Sequence, residues 1–298
     1  MRVLVTGATG LIGRALCHAL VRRGHEPTAL SRSPDQARLA LPGVRVIPGD
    51  PTSPGAWQDA LAAADACVNL AGESLDARWN PERKRVFRAS RVDATRNVAE
   101  VIAQGGPGVL VSASAVGYYG DRGEEALDER AAPGKDYLAE LCVAWEAAAA
   151  PAAARARVTL VRTGLVLARE GGALPRMVRP FKLFAGGPLG TGRFWQSWIH
   201  LDDVVGLVLL ALEDGRVSGP LDATAPEPVR NRDLARAIGK VVGRPSLFPA
   251  PALAIRLAVG EMAAVVLASQ RVLPTKALAL GYRFRFPDLE GALRDLLR

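Results

Sequence analysis

The 298 residues predict an α/β fold: a doubly wound parallel sheet with a smaller, mainly helical carboxy-terminal region. Three observations carry this reading. A short apolar strand, Val3 to Thr6, runs into a glycine turn and then into a helix that begins near Leu11. Strand and helix patterns then alternate through about residue 165, a rhythm that parallel strands joined by helical crossovers satisfy. Beyond that point glycine pairs, prolines and tryptophans break the rhythm, so a second, smaller region begins there.

The first turn holds Gly7, Gly10 and Gly13. Gly7 permits the tight turn off the strand, Gly10 lets a pyrophosphate approach the backbone, and Gly13 lets the helix lie close on the sheet. The helix N-terminus offers free N–H groups and a positive dipole end to phosphates. This is the Rossmann-type arrangement, and it points to a bound dinucleotide. His25 to Leu30 is the second strand and ends in Ser31-Arg32-Ser33. NAD-preferring folds place an acidic residue here for the ribose 2′-hydroxyl, and this chain has none. Arg32 can instead pair with a 2′-phosphate, so the reading is NADP(H) over NAD(H); otherwise Arg32 is a surface residue in a loop.

Val44 to Ile47 is a third strand leading into Pro48-Gly49-Asp50-Pro51. Asp50 either accepts from an adenine amino group or serves as a turn or cap carboxylate. Residues 55–63 are helical in pattern, and Ala66 to Leu70 is a fourth strand. Gly72, just past its end, would let the backbone approach a ligand. Pro81 to Gln104 reads as a long helical segment with Arg83, Arg85, Arg88, Arg91 and Arg96 on a largely solvated face. Gly108 to Val111 is a fifth strand running into Ser112-Ala-Ser114-Ala-Val-Gly-Tyr118-Tyr119-Gly120. Hydroxyls at the carboxyl end of a central strand lie where parallel sheets hold ligands. After a charged loop, Asp136 to Ala150 is a helix with Asp136 as its cap and Pro151 at its end. Val158 to Arg162 is the sixth strand.

Beyond it, a helix starts within Ile199 to Val205 with Asp202 near its N-terminus, and residues 220–223 return as a strand. Asn231 to Val242 is a helix capped by Asn231. The expected division is a dinucleotide-binding domain over 1–165, with about 198–225 returning to it, and a substrate or cover region over 166–298.

A hydrophobic fraction of 49% supports a sizeable core. Cys17, Cys67 and Cys142 are odd in number and far apart, which excludes a disulfide framework. With His18, His25 and His200 they make no metal-ligand spacing. The net charge of +8 comes mostly from scattered arginines without a dense run or interleaved aromatics, so nucleic-acid binding is not expected. A basic balance suits an anionic ligand. The first strand leaves no room for a signal peptide, so the expected compartment is the cytoplasm. Ala252 to Ala268 is apolar but broken by Arg256 and Glu261, short of the roughly 18 apolar residues of a spanning helix, and reads as packed helix.

These motifs resemble the extended short-chain dehydrogenase/reductases, the class of sugar-nucleotide epimerases and dehydratases. Thr6 to Gly13, Asn69 to Gly72, Ser112 to Ser114 and Trp198 to Asp203 carry the likeness. More narrowly the chain is similar to a divergent epimerase-family subgroup, through Asn69 to Glu73, Ser114 to Gly120, Trp145-Glu146 and Arg162 to Leu167. That subgroup has a carboxy-terminal extension, here about residues 247–296. The resemblance implies NADP(H) held by Gly7, Thr9, Gly10, Leu11, Ile12, Ser31, Arg32, Leu70, Ala71 and Gly72, with Arg91 also reaching it. It also allows a homodimer, since paired-helix dimers are common in the class.

The class moves a proton with a serine, a tyrosine and a lysine four residues after that tyrosine. Ser114 fits the serine and Tyr137 falls near the tyrosine's distance, but Leu141 stands at the lysine's place. Lys135 lies on the wrong side of the helix. A tyrosine of pKa near 10 is ionised only about one part in a thousand at pH 7, so without a cation Tyr137 is an acid rather than a base. Tyr118 and Tyr119 are alternative proton donors, or they pack the loop beneath the nicotinamide. Two functions follow. One is an NADP(H)-dependent oxidoreductase or epimerase acting on a carbonyl or sugar-nucleotide-like small molecule. The other is a non-catalytic NADP(H)-binding sensor or partner module that has lost the relay.

Overall fold

The computed structural model describes residues 1–76 and 78–298. The amino-terminal part begins β1 (Arg2–Thr6), α1 (Leu11–Arg22), β2 (Glu26–Ser31), α2 (Pro34–Ala40), β3 (Arg45–Pro48), α3 (Trp57–Ala62) and β4 (Ala66–Asn69). Next come α4 (Pro81–Arg88), a π-helical turn, α5 (Ala94–Ala103), β5 (Val109–Ala115), β6 (Ala126–Leu127), α6 (Tyr137–Ala148), β7 (Arg157–Thr163) and β8 (Leu165–Leu167). The chain continues as α7 (Leu174–Lys182), β9 (Trp195–Gln196), β10 (Trp198–His200), α8 (Leu201–Glu213), β11 (Gly219–Ala223), β12 (Val229–Arg230) and α9 (Asn231–Val242). It ends as α10 (Ala252–Val259), α11 (Ala263–Val266), β13 (Arg271–Val272), α12 (Thr275–Ala279) and α13 (Leu289–Leu297).

Seven strands make one parallel sheet in the order β11-β7-β5-β4-β1-β2-β3. The chain leaves β1 toward β2 and β3, then crosses back to pair β4 on the other side of β1. That reversal opens a crevice at the carboxyl ends of β1 and β4. On one face α1 and α8 pack Leu16, Leu20, Val204 and Val208 against Val3, Val5 and Val111. On the other, Trp57, Leu61, Val98 and Ile102 pack against Leu4, Cys67 and Leu110. A separate core joins α7, α9 and α13 through Leu174, Phe181, Leu234, Ile238 and Leu293.

Several elements depart from the sequence reading. Strand β5 continues to Ala115, so Ser112 and Ser114 lie within the strand and not after it. The charged loop after it contains β6, which pairs in parallel with β13. Asp202 stands in the first turn of α8 as expected, and His200 caps that helix: its Nδ1 accepts from the Asp202 N–H at 3.0 Å. Asn231 is the first residue of α9 rather than its cap, because its amide is used elsewhere, accepting from Leu189 N–H at 2.7 Å. The apolar stretch from 252 is not packed helix. It forms two short helices, none of α10 is buried, and Leu253 and Leu257 are each 68% exposed. Contacts at its edges hold it, such as Arg78 donating to the Leu257 carbonyl at 2.6 Å. Among the described residues no helix is long and apolar enough to cross a membrane.

Asp203 ties the carboxy-terminal segment to α8 and so to the main sheet. It is buried at the start of α8 and accepts from the N–H of Arg285 at 2.8 Å and of Phe286 at 3.0 Å. The Tyr282 hydroxyl donates to it at 3.2 Å. Asp203→Ala would strand these donors away from water. Such charge-assisted bonds make a loss of about 3 kcal/mol the expected outcome. Urea denaturation measures it, and hydrogen exchange should accelerate over 282–297 first.

Candidate functional site

The crevice at the β1–β4 reversal is a cleft of about 450 Å³. Gly7, Thr9, Gly10, Ser31, Arg32, Asp50, Leu70, Ala71 and Gly72 line it, nine of the residues expected to hold a dinucleotide. Gly7 sits at φ +63°, and a Cβ there would come within 2.5 Å of the Leu70 carbonyl oxygen. Gly10 is different. A Cβ there would meet only the Gly7 carbonyl oxygen, at 3.2 Å, so its open side faces the cleft. Gly10 also caps α1 without any side-chain bond, which leaves the first helical N–H groups directed at the cleft. Leu11 and Ile12 open that helix. Leu11 lies beside Gly171 and Gly172, and Ile12 packs on the core, so each offers the cleft its backbone rather than its side chain.

Arg32 reaches out at the end of β2 with its side chain 68% exposed, 3.7 Å from Glu73 across the cleft. Ser31 accepts from the Ser33 N–H. Asp50 lines the cleft, but its Oδ1 accepts from both the N–H and the hydroxyl of Thr52. That geometry makes it a turn carboxylate, while its place in the cleft wall keeps its first reading open to test. Arg91 is not part of the cleft wall. It braces the turn from behind, packed on Gly72 and donating to the Glu73 carbonyl at 3.0 Å, and burial pulls its pKa below the usual guanidinium value.

Beneath the cleft a buried chain of side chains fixes the strand ends. The Thr6 hydroxyl donates to Asn69 Oδ1 at 2.6 Å and accepts from the Ala71 N–H at 3.1 Å. Asn69 Nδ2 donates to Thr95 at 2.8 Å, and Trp145 Nε1 donates to the same Thr95 oxygen at 2.9 Å. The four groups thereby lock β1, β4, α5 and α6 in one register. A second cleft, of about 470 Å³, lies at the opposite end of the strands around Arg2, Glu26 and Arg45. Parallel sheets bind ligands at the other end.

The expected proton-transfer residues are not gathered as the resemblance implies. Ser114 is 3% exposed and its hydroxyl donates to Glu146 Oε1 at 2.7 Å, so it is turned to α6 and is not part of the cleft lining. Glu146 in turn receives two bonds from Arg162, both at 2.8 Å. Arg162 Nη1 donates to the Tyr119 hydroxyl at 3.0 Å, which donates to Asp222 at 2.8 Å. Tyr119 is 0% exposed. Tyr118 lays its ring on the Arg162 guanidinium, 3.5 Å from the centroid. Both tyrosines therefore pack the turn after β5; in this arrangement Tyr119 cannot reach a substrate as a proton donor. Burial opposes the Arg162 charge, but the Glu146 pair prevails and raises its pKa. Burial, then the charge of Glu129, pushes the Asp222 carboxyl well above its usual range.

Tyr137 misses Ser114 by helix phase. The α6 residues turned toward the end of β5 are Leu138 and Cys142, beside Gly117, and Glu146, bonded to Ser114. Tyr137 lies one residue off that line, about 100° around the helix. Its hydroxyl donates instead to the Lys84 carbonyl at 3.2 Å, and the Lys84 ammonium sits 4.7 Å from its ring centroid. Sequence reasoning missed Glu146, Arg162 and Lys84 as site residues. Glu146 and Arg162 stand in motifs that carry the family resemblance, but nothing in those motifs shows that they meet Ser114; Lys84 has a partner 53 residues away and no motif around it. Among the described residues no cluster could hold a metal ion.

With this geometry established, comparison with known proteins is informative. A model of the NAD dependent epimerase/dehydratase family matches residues 3–222, and a domain of unknown function, DUF1731, matches residues 250–296. The chain is 43% identical over 303 residues to the epimerase family protein SDR39U1 homolog, chloroplastic, of Arabidopsis thaliana, covering all of this chain and 87% of that one. It is 36% identical to the epimerase family protein YfhF of Bacillus subtilis, covering all of this chain and 98% of that protein. Among solved structures, human epimerase family protein SDR39U1 (isoform 2) with NADPH superposes with a TM-score of 0.88 at 36% identity, covering 99% of each chain.

The buried ion pair yields two expectations. Arg162→Met leaves Glu146 charged and unpaired in the interior, and a loss of about 3–5 kcal/mol in urea denaturation is expected. Asp222 has a folded pKa raised above its unfolded value. Its contribution is therefore full below about pH 4 and is lost as pH rises toward the folded value. Asp222→Asn does not titrate, so its stability relative to wild type should improve as pH rises above 4; a flat difference would contradict the raised carboxyl.

Proposed function

The chain belongs to the NAD dependent epimerase/dehydratase family, and from that premise we propose that it is an NADP(H)-dependent oxidoreductase acting on a carbonyl or sugar-nucleotide-like small molecule. The observation that carries the proposal is the cleft itself: an open Gly10, uncapped helical N–H groups and an exposed Arg32 at the end of β2. These fit an anionic dinucleotide with a 2′-phosphate. The NADPH in the human relative, at a matching fold and 36% identity, supports the same reading.

Bound there, NADP(H) supplies or accepts a hydride. The α1 N-terminus and the Gly7–Gly10 turn hold the pyrophosphate. Arg32 pairs with the 2′-phosphate and so favours the cofactor that carries it. Gly72, braced by Arg91, keeps the turn after β4 low enough for the cofactor to lie against the backbone. Tyr137 gives the proton. Its hydroxyl donates to a carbonyl oxygen at 3.2 Å, and burial raises its pKa, which keeps it protonated at neutral pH as an acid must be.

A second reading, a non-catalytic NADP(H)-binding module, draws support from Ser114 and Tyr119, whose hydroxyls are committed to Glu146 and Asp222. A panel of ketones, aldehydes and sugar nucleotides assayed for NADPH consumption separates the two. Specific turnover is expected; tight NADPH binding with no turnover across the panel would favour the second. Gly10→Val should fold with nearly unchanged Tm while NADPH affinity falls about tenfold or more, read as loss of the ligand-induced thermal shift.

A further inference from the structure

Position 141 is closed to a cation. Leu141 is buried among Phe87, Val92 and Trp145, where an ammonium would lose its water to an apolar cluster. Tyr137 lies at the edge of that cluster, half-buried, with its ring edge-on to Trp79 at 5.3 Å. Lys84 embraces it from α4. Its carbonyl oxygen accepts the phenolic proton at 3.2 Å, and its own ammonium bends back over the ring to 4.7 Å from the centroid. The same ammonium is ion-paired with Glu261, which lies between α10 and α11. Arg78 and α4 are thus each joined to the segment around α10, α4 through this pair and Arg78 through the Leu257 carbonyl.

We infer that Lys84 supplies Tyr137 with the cation that position 141 cannot hold, and that Glu261 sets how much of that charge Tyr137 feels. The inference rests on the oxidoreductase reading above. When a substrate carbonyl oxygen takes the place of the Lys84 carbonyl and its carbon takes up a hydride, which the bound dinucleotide would supply, the C=O π pair moves to oxygen and the Tyr137 O–H bond breaks to give that oxygen its proton. The bonding pair stays behind as phenolate, and the nearby ammonium lowers the cost of that charge. Solvent returns the proton after product leaves. Lys84 therefore acts through Tyr137, and the carboxy-terminal region acts through Lys84. The charged groups around the phenol are Lys84, Arg91 and Arg88 on one side of the balance and Glu261 on the other. Burial is the larger influence and raises the pKa of Tyr137.

The test needs no substrate. Phenol-carbon-labelled tyrosine followed by NMR through alkaline pH reads each tyrosine of the intact protein, and Tyr137→Phe assigns the signal of interest. Lys84→Met should move the Tyr137 midpoint up by about one pH unit, and Lys84→Arg should leave it near wild type. Glu261→Gln should move it down, and because Glu261 is exposed this variant keeps the test available should Lys84→Met not fold. A Tyr137 midpoint unmoved by both Lys84→Met and Glu261→Gln overturns the inference. NADPH binding measured on the same samples keeps the two readings apart, since its absence in wild type would sink the oxidoreductase proposal without touching the titration. Once a substrate is known, Lys84→Met should lower kcat far more than it changes KM, with recovery in Lys84→Arg; a change in KM alone would count against it.

Discussion

The site depends on how closely helix α1 lies on the sheet. A Cβ at Gly13 would stand 2.3 Å from the Gly7 carbonyl oxygen, and one at Gly7 would stand 2.5 Å from the Leu70 carbonyl oxygen. Three backbone segments, the β1 turn, the first turn of α1 and the end of β4, meet with no side chain between them. That contact aims the uncapped N–H groups of α1 across the crevice where β1 and β4 part. The buried bonds from Thr6 to Asn69 and from Asn69 to Thr95 then hold the strand ends at that spacing. Because the donors and acceptors there are enclosed and paired, any shift of β4 against β1 would leave a polar group unmatched in the interior.

The two halves of the site are built differently. The cofactor half uses backbone and glycine, and needs only that space be left open. The proton half uses side chains brought from separate elements. Ser114, Glu146, Arg162, Tyr119 and Asp222 form one buried polar line across β5, α6, β7 and β11. Its groups satisfy one another, so it fastens α6 to the sheet and contributes no free hydroxyl to the cleft. Tyr137 and Lys84 stand apart from it on the α4 side, in contact with the carboxy-terminal region through Glu261. An oxidoreductase of this construction would sense the position of that region electrostatically.

The legible part of the fold was the part written at short range. Gly7, Gly10 and Gly13 lie within one strand-turn-helix unit, and Arg32 marks the end of the next strand, so spacing alone places them at one crevice. Arg162 and Glu146 lie in different elements and meet only because β7 and α6 stack. Lys84 and Tyr137 are 53 residues apart and meet through the packing of α4 on α6. The apparent serine–tyrosine pair failed for a reason of phase: a single residue along α6 decides whether a side chain faces Ser114 or α4. Asn231 misled in a similar way, since its amide found Leu189 and Gln196 rather than the helix it begins. The exposed α10 misled because hydropathy reports composition, not whether a neighbour is present to cover it.

The most direct test of the account is the affinity of the intact protein for NADPH and for NADH, measured side by side by fluorescence titration in wild type and in Arg32→Ser. The account predicts that NADPH binds at least about tenfold more tightly than NADH, and that the variant loses this preference while still binding NADH as wild type does. Equal affinities in wild type would remove Arg32 as the reader of the 2′-phosphate. Binding of neither dinucleotide would contradict the role assigned to the cleft itself.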